Sequence, residues 1–291
     1  MKRKTFLLLV LMNGLFLDPF GVGAADYSQS PYDNGIKLML NVDDAAVHAD
    51  TAKGIIDLWK QHAVSSTSII AYAPNFENTV ETLRGLSIPV GIHLGLHHGS
   101  GVLPISEVSS LHAPEGSFWG TVEETLEHMD LAEVEAELDA QIRKVIDAGL
   151  NPVHLDSHMG LLFKNRELVA LYVRLAKKHH LAAALPVGEM YDEAREELKA
   201  AGLKSSVSLS GVYALADGVE ETLANRTEAY RLLLKTLKPG INYCFSHPVP
   251  DSVSMRQSFG DYQTRIDDYT LFMSPEWKEM LEEAGVELVS F

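Results

Sequence analysis

The sequence predicts an α/β protein, a distorted (β/α) TIM-like barrel with parallel strands inside and helices outside. Short β-like runs alternate with amphipathic helical stretches along the chain, the order that gives parallel strands joined by helical crossovers. About eight strands over roughly 255 residues match the size of such a barrel. Several strands run into acidic or histidine residues, and the C-terminal strand ends are where a parallel barrel carries its chemistry. A doubly wound open sheet is the alternative, because periodicity does not decide closure.

The elements follow in order. Lys37–Val42 is the first strand and Val47–His62 an amphipathic helix; Ser68–Tyr72 is the second strand and Phe76–Leu83 a helix. Pro89–Leu96 is the third strand, followed by a long connection from His97 to about Asp130, rich in Gly, Ser, Pro and His and carrying Phe118 and Trp119. Leu131–Ala148 is a helix with Leu131, Val134, Leu138, Ile142 and Val145 on one stripe, spaced by three and four. Pro152–Asp156 is the fourth strand, Glu167–His179 a helix, Ala182–Val187 a strand and Tyr191–Ala201 a helix. Val207–Tyr213 reads as a strand, and Glu220–Leu237 as a helix stopped by Pro239-Gly240. Ile241–Phe245 is a strand, Glu276–Glu283 a helix, and Val286–Phe291 the last strand.

Composition narrows the function. With 46% hydrophobic and 22% charged residues, the 291-residue chain is neither disordered nor fibrous. A net charge of −16 disfavours nucleic-acid binding. Cys244 is the single cysteine, which excludes an intrachain disulfide and a Cys-rich zinc site. Residues 1–24 read as a signal peptide: Lys2, Arg3 and Lys4, then the apolar run Phe6–Leu17, then small residues before Ala25. The expectation is an exported protein, periplasmic or extracellular in a bacterium, with no membrane span after cleavage. Residues 25–35 form a lead-in and 36–291 a single barrel domain. No Gly-x-Gly-x-x-Gly, P-loop or Gly-x-Ser-x-Gly is present.

Four strand ends carry candidate chemistry: Asp43-Asp44 after the first strand, His93 in the third, His154-Leu155-Asp156-Ser157-His158 at the fourth, and Ser246-His247-Pro248 after the seventh. Alternation puts His154, Asp156 and His158 on one face, where three titratable groups are costly unless paired or bound to a metal. Adjacent aspartates aimed at one spot repel unless a cation or a division of roles relieves them. Asp44 also fits a plain helix cap. The loop His97-His98-Gly99-Ser100-Gly101 reads as a solvated turn, and His179-His180 as a cationic helix end.

Asn41-Val42-Asp43-Asp44 and Ser65-Ser66-Thr67-Ser68, then Gly91-Ile92-His93-Leu94, His154-Leu155-Asp156-Ser157-His158 and Ser246-His247-Pro248, resemble in order the motifs of the YdjC-like carbohydrate deacetylases, a family that includes chitooligosaccharide and hopanoid glucosamine deacetylases. The resemblance covers about residues 36–291. It implies one divalent metal ion, zinc or magnesium, held at the positions of Asp44, His93 and His158. It also implies Asp43 as general base, and His247 as acid or as stabiliser of the tetrahedral intermediate. The substrate implied is an N-acetylated sugar or oligosaccharide. Asp156 and His154 are expected to support the site, and Trp119 to stack on a sugar or simply to pack. Two departures, Ala45-Ala46 after the aspartates and Met159-Gly160-Leu161-Leu162 after His158, alter the wall around the site. A glycan-binding protein with a degenerate barrel, and a metallohydrolase of esters or phosphates, remain alternatives.

Overall fold

The structure is a computed structural model describing residues 35–291. The expected signal peptide and nearly all of the expected lead-in lie outside the described residues. The elements are β1 (Ile36–Ala45), α1 (Ala49–Lys60), β2 (Ser66–Ile69), α2 (Phe76–Arg84), β3 (Val90–Leu94), α3 (Val122–His128), α4 (Leu131–Asp147), β4 (His154–Ser157) and α5 (Arg166–His179). They continue as β5 (Ala182–Ala183), α6 (Glu189–Ala200), β6 (Ser208–Gly211), α7 (Leu223–Leu234), β7 (Gly240–Ser246), α8 (Val253–Ser258), α9 (Tyr262–Phe272), α10 (Pro275–Ala284) and β8 (Val286–Leu288). No helix among the described residues is long and apolar enough to cross a membrane.

Parallel pairing runs β5-β4-β3-β2-β1-β7-β6, with β8 beside the first residues of β1. The sheet curls until its two ends meet at one bridge: Ala183 N–H donates to Lys204 C=O at 3.1 Å and Ser206 N–H to Ala183 C=O at 3.2 Å. That curl decides for a distorted barrel over an open sheet. Leu38, Leu40 and Val42 of β1 face the helices, whereas Met39 turns inward to an inner cluster with Ala184, Leu209, Tyr243 and Phe245. On the side of β1 to β4 the interior is polar. There Ser66 donates to Asn41 Oδ1 at 2.6 Å, and Asn41 Nδ2 to Ser68 Oγ at 2.9 Å, so buried hydroxyls meet their hydrogen bonds inside the barrel.

The long connection is ordered by α4. Buried Glu137 accepts from the amides of Val102 and Leu103 at 2.8 and 2.9 Å, and Gln141 brackets Gly95 through both its amide atoms. Gly101, at φ 74°, lies where a Cβ would stand 2.6 Å from Phe118 and 2.8 Å from Glu137. Helices α8 and α9 were not expected from the sequence. In α9 the buried face carries Arg265, Asp267 and Asp268 beside Ile266, Leu271 and Phe272, so the apolar stripe that signals a helix is broken by charge.

Candidate active site

The adjacent aspartates do not cap α1; His48 does, accepting from Asp50 N–H. The pairing of β1 with β2 instead slips between Val42 and Ala45, and Asp44 takes φ 60°. This bulge breaks the alternation that would send Asp43 and Asp44 to opposite faces, and both carboxylates turn to the barrel mouth. Aspartate is among the residues that tolerate a left-handed backbone best.

Around Asp44 the ligand-type atoms converge. Its Oδ1 lies 3.6 Å from His93 Nε2 and 3.3 Å from His158 Nδ1. These three residues form a group able to hold a metal ion, all ligand atoms lying within 4.8 Å of one another. His158 stands just beyond β4, where left-handed turns at Met159 (φ 54°) and Gly160 (φ 63°) send the chain away and leave the imidazole at the mouth. Thus His158 reaches the site from the turn after the strand, while His154 and Asp156 point inward from the strand itself. Gly95, at the end of the third strand run, gives room: a Cβ there would be 3.0 Å from His158 Cβ and 2.6 Å from Tyr72 Oη.

His93 is held from behind. Its Nδ1 lies 2.7 Å from Asp156 Oδ1, which presents Nε2 to the mouth. Asp156 Oδ2 accepts from Tyr243 Oη–H, and Asn41 Nδ2 approaches it at 3.5 Å. Asp43 Oδ1 accepts from Asn41 at 2.7 Å and faces Tyr243 Oη at 3.4 Å, while Oδ2 lies 3.7 Å from His93 Nε2. Arg265 comes from α9, 7% exposed, with two guanidinium nitrogens 3.4 Å from Asp44 Oδ2; its Nε is 3.0 Å from both Asp261 oxygens. His247 Nε2 is 3.8 Å from the same Asp44 oxygen. The α9 helix is anchored by a buried pair, Arg226 donating to Asp268 Oδ1 at 2.6 and 2.9 Å.

Charge sets the protonation. Burial drives the Asp43 carboxyl up to about 8 against the lowering pull of His93, with Asp156 and Asp44 adding to the rise. Burial also opposes ionisation of Asp44, but the neighbouring imidazoles of His158, His247 and His93 hold it well below the ordinary carboxylate range. Asp156 is lowered too, its burial outweighed by His93 and His154. Burial would depress His93, yet Asp156, Asp43 and Asp44 raise it to about 10. For His247 burial prevails and brings it down to about 4.

These residues fit a divalent cation. Asp44 Oδ1 is buried and has no hydrogen-bond partner, although it faces two imidazoles. An orphaned buried carboxylate oxygen is costly, and a cation at that point would satisfy it. Two imidazoles and a carboxylate suit zinc by softness, with magnesium the other candidate.

Other expected residues fall elsewhere. His154 is fully buried one layer below Asp156, its Nε2 3.8 Å from Asp156 Oδ2 and its ring lying over Gly91, so it supports the site from beneath and does not reach substrate. Trp119 stacks on His128 with ring centroids 3.9 Å apart and donates Nε1–H to Ser110 C=O, so it packs within the long connection. Phe118 is buried against Tyr72 and His112. The solvated turn expected at residues 97–101 is corrected at its first residue: His97 is buried beside His158, its ring nitrogens without partners, while His98 is exposed. His179 bonds Asp139 at 2.7 Å on the surface of the helix layer. Cys244 is buried, and burial pushes its thiol up, away from reactivity.

A model of the YdjC-like protein family matches residues 37–283. The chain belongs to the YdjC-like family. It is 28% identical over 271 residues to a carbohydrate deacetylase of Enterococcus faecalis, covering 88% of this chain and 97% of the relative. It is 26% identical over 262 residues to a carbohydrate deacetylase of Listeria monocytogenes, covering 88% and 99%. The crystal structure of an Enterococcus faecalis protein, provisionally described as a cellobiose-phosphate cleavage protein, superposes with a TM-score of 0.73 at 25% identity, covering 87% of this chain and 97% of that one. The YdjC-like chain has the barrel expected from its motifs. Arg265 and Tyr243 carry no mark in the sequence, whereas Asn41 opens the motif Asn41-Val42-Asp43-Asp44 without a role of its own being read from it.

Proposed function

We propose that this chain is a metal-dependent carbohydrate N-deacetylase, hydrolysing the N-acetyl group of an amino sugar. The observation that carries the proposal is the convergence of Asp44 Oδ1, His93 Nε2 and His158 Nδ1 at the barrel mouth, with Asp43 and His247 beside them. Similarity over nearly the full length of carbohydrate deacetylases supports an acetylated sugar as substrate. Asp44, His93 and His158 would hold a zinc or magnesium ion, which would supply Lewis acidity toward the acetyl carbonyl and, for zinc, would bring the pKa of a bound water toward neutrality.

The remaining chemistry belongs to side chains. Asn41 occupies Oδ1 of Asp43, which leaves Oδ2, on the side of His93 Nε2, to take the proton of the attacking water. His247, lowered to about 4, is neutral at pH 7 and serves as a hydrogen-bond donor to negative charge developing on the acetyl oxygen. The departing amine then recovers its proton from Asp43, whose ionised form a cation held beside it at Asp44 and His93 would favour before the water attacks. Arg265 keeps the outer oxygen of Asp44 engaged, so that Oδ1 is the oxygen presented to the site.

The test is acetate release from N-acetylated sugars before and after chelation, beside Asp43→Asn and His158→Ala. Chelation should abolish release and added metal restore it. Asp43→Asn should lower the rate by roughly 10²–10⁴-fold. Full activity in either variant, or after chelation, would overturn the proposal. Export through residues 1–24 is the accompanying proposal; a mature protein beginning at Ala25 in the cell envelope or medium supports it, and an intact N-terminus on cytosolic protein refutes it.

A further inference from the structure

We infer that Tyr213 is the platform on which the pyranose ring of the substrate stacks. The inference deepens the deacetylase reading and rests on it for the identity of the ligand. Tyr213 is 47% exposed, one of few large hydrophobic side chains left open among the described residues. It lies two residues past the Gly211↔Phe245 pairing of β6 and β7, and His247 lies two residues past the same pairing on the other strand. The register therefore brings Tyr213 beside His247, and the two rings meet edge to face with centroids 6.0 Å apart at 78°.

The position is built from below. Phe245 also packs against His247, with centroids 5.9 Å apart, and occupies the space over Gly211, where a Cβ would stand 2.5 Å from its ring. Any side chain at 211 would displace Phe245 and with it the support of His247. His247 is thus in contact with a buried phenyl ring and an open phenol ring.

The direction of approach follows from the walls. On the side of β2 and β3 the mouth is covered by the long connection, where Phe118 packs on Tyr72 and His97 is buried next to His158. On the side of β6 and β7 the exposed ring of Tyr213 stands beside His247, itself next to Asp44. An acetamide placed with its carbonyl at Asp44, His93 and His158 and its sugar directed away from the covered side brings that sugar over Tyr213. A pyranose ring carries axial C–H groups on its faces, and an aromatic ring is the complementary surface for them, adding to affinity beyond the area buried. An open-chain acetamide has no such face.

The experiment measures binding without turnover. Metal-stripped wild type, Tyr213→Phe and Tyr213→Ala are titrated by NMR with methyl 2-acetamido-2-deoxy-β-glucopyranoside and with N-acetylglucosaminitol, its ring-opened counterpart. Wild type and Tyr213→Phe should bind the glycoside within about twofold, and Tyr213→Ala about tenfold more weakly. The alditol should bind weakly, with no dependence on residue 213. Tyr213→Ala binding the glycoside as well as wild type, or the alditol losing as much as the glycoside, overturns the platform; so does a wild type that binds no glycoside. Acetate release by the metal-loaded wild type is measured alongside. Loss of that signal with intact Tyr213-dependent binding refutes the deacetylase reading alone, whereas release with binding indifferent to Tyr213 refutes the platform alone.

Discussion

Asp156→Asn isolates the charge behind His93 while keeping the side-chain shape. Three donors converge on Asp156: His93 Nδ1 at 2.7 Å, Tyr243 Oη–H, and Asn41 Nδ2 at 3.5 Å. An asparagine offers one acceptor oxygen to that set and turns its own amide hydrogens toward the remaining donors. Loss of such a partner behind a metal-binding histidine typically lowers affinity 10–100-fold, about 1.4–2.7 kcal/mol. The change should also depend on pH. After burial, which acts the other way, Asp156 is the largest influence on His93 and with Asp43 and Asp44 raises it to about 10, so wild type must release that proton to bind a metal. Without the carboxylate, His93 is less basic, fewer protons are released, and the difference from wild type narrows as pH falls. Calorimetric zinc titration in two buffers of different ionisation enthalpy counts the protons. Unchanged affinity together with unchanged proton release would refute the role given to Asp156. Asp156→Ala should be harsher, destabilising the fold by about 3–5 kcal/mol through the buried partners left behind.

Further outcomes follow from the same geometry. Arg265→Met removes the guanidinium from Asp44 and should destabilise the metal-free protein by about 3 kcal/mol in urea and cut acetate release at least tenfold, with Arg265→Lys intermediate; unchanged turnover in Arg265→Met would count against its role. Gly91→Ala places a methyl 2.2 Å from the His154 ring and should destabilise by about 1–3 kcal/mol. Adding His154→Ala should return part of that loss in a double-mutant cycle, and strict additivity would refute the clash. Asp43 and His93 hold protons more tightly folded than unfolded, so their stabilisation is present at low pH. Asp43's share fades between 3.8 and about 8, and His93's between 6.5 and about 10. The lowered Asp44 and Asp156 act oppositely, losing their contribution only as the solution becomes acid. Melting of the metal-free protein should therefore decline from pH 6.5 toward about 10, less steeply with saturating zinc; a flat profile without metal would contradict it.

Much of the site was legible because its residues violate the apolar rule of buried strands. His93, His154 and Asp156 stand in runs that otherwise read as barrel core, and Asp43-Asp44 and His247 follow such runs directly. The strand and helix alternation gave the architecture for the same reason, each period being set by which face is buried. What stayed hidden depended on contacts distant in the chain. Tyr243 looks like any strand aromatic until Asp156 is placed opposite it. Arg265 sits on a helix whose buried face is largely charged, so neither its helix nor its target was visible. The bulge at Asp44 has no local mark either; it comes from the slip against β2, where polar Ser66–Ser68 replace the apolar strand expected slightly later.

The single bridge joining Ala183 to Ser205 divides the labour of the barrel unevenly. Asp44, His93 and His158 hang on or just past β1, β3 and β4, which are laced together through β2, while the closing edge, tied by that bridge and by side-chain bonds of Ser206 and Arg195, carries none of them. Loops sprouting from that edge can lengthen, shorten or exchange residues without retuning the ion-binding geometry across the ring. Such a layout keeps the convergent side chains apart from the most changeable stretch of the wall.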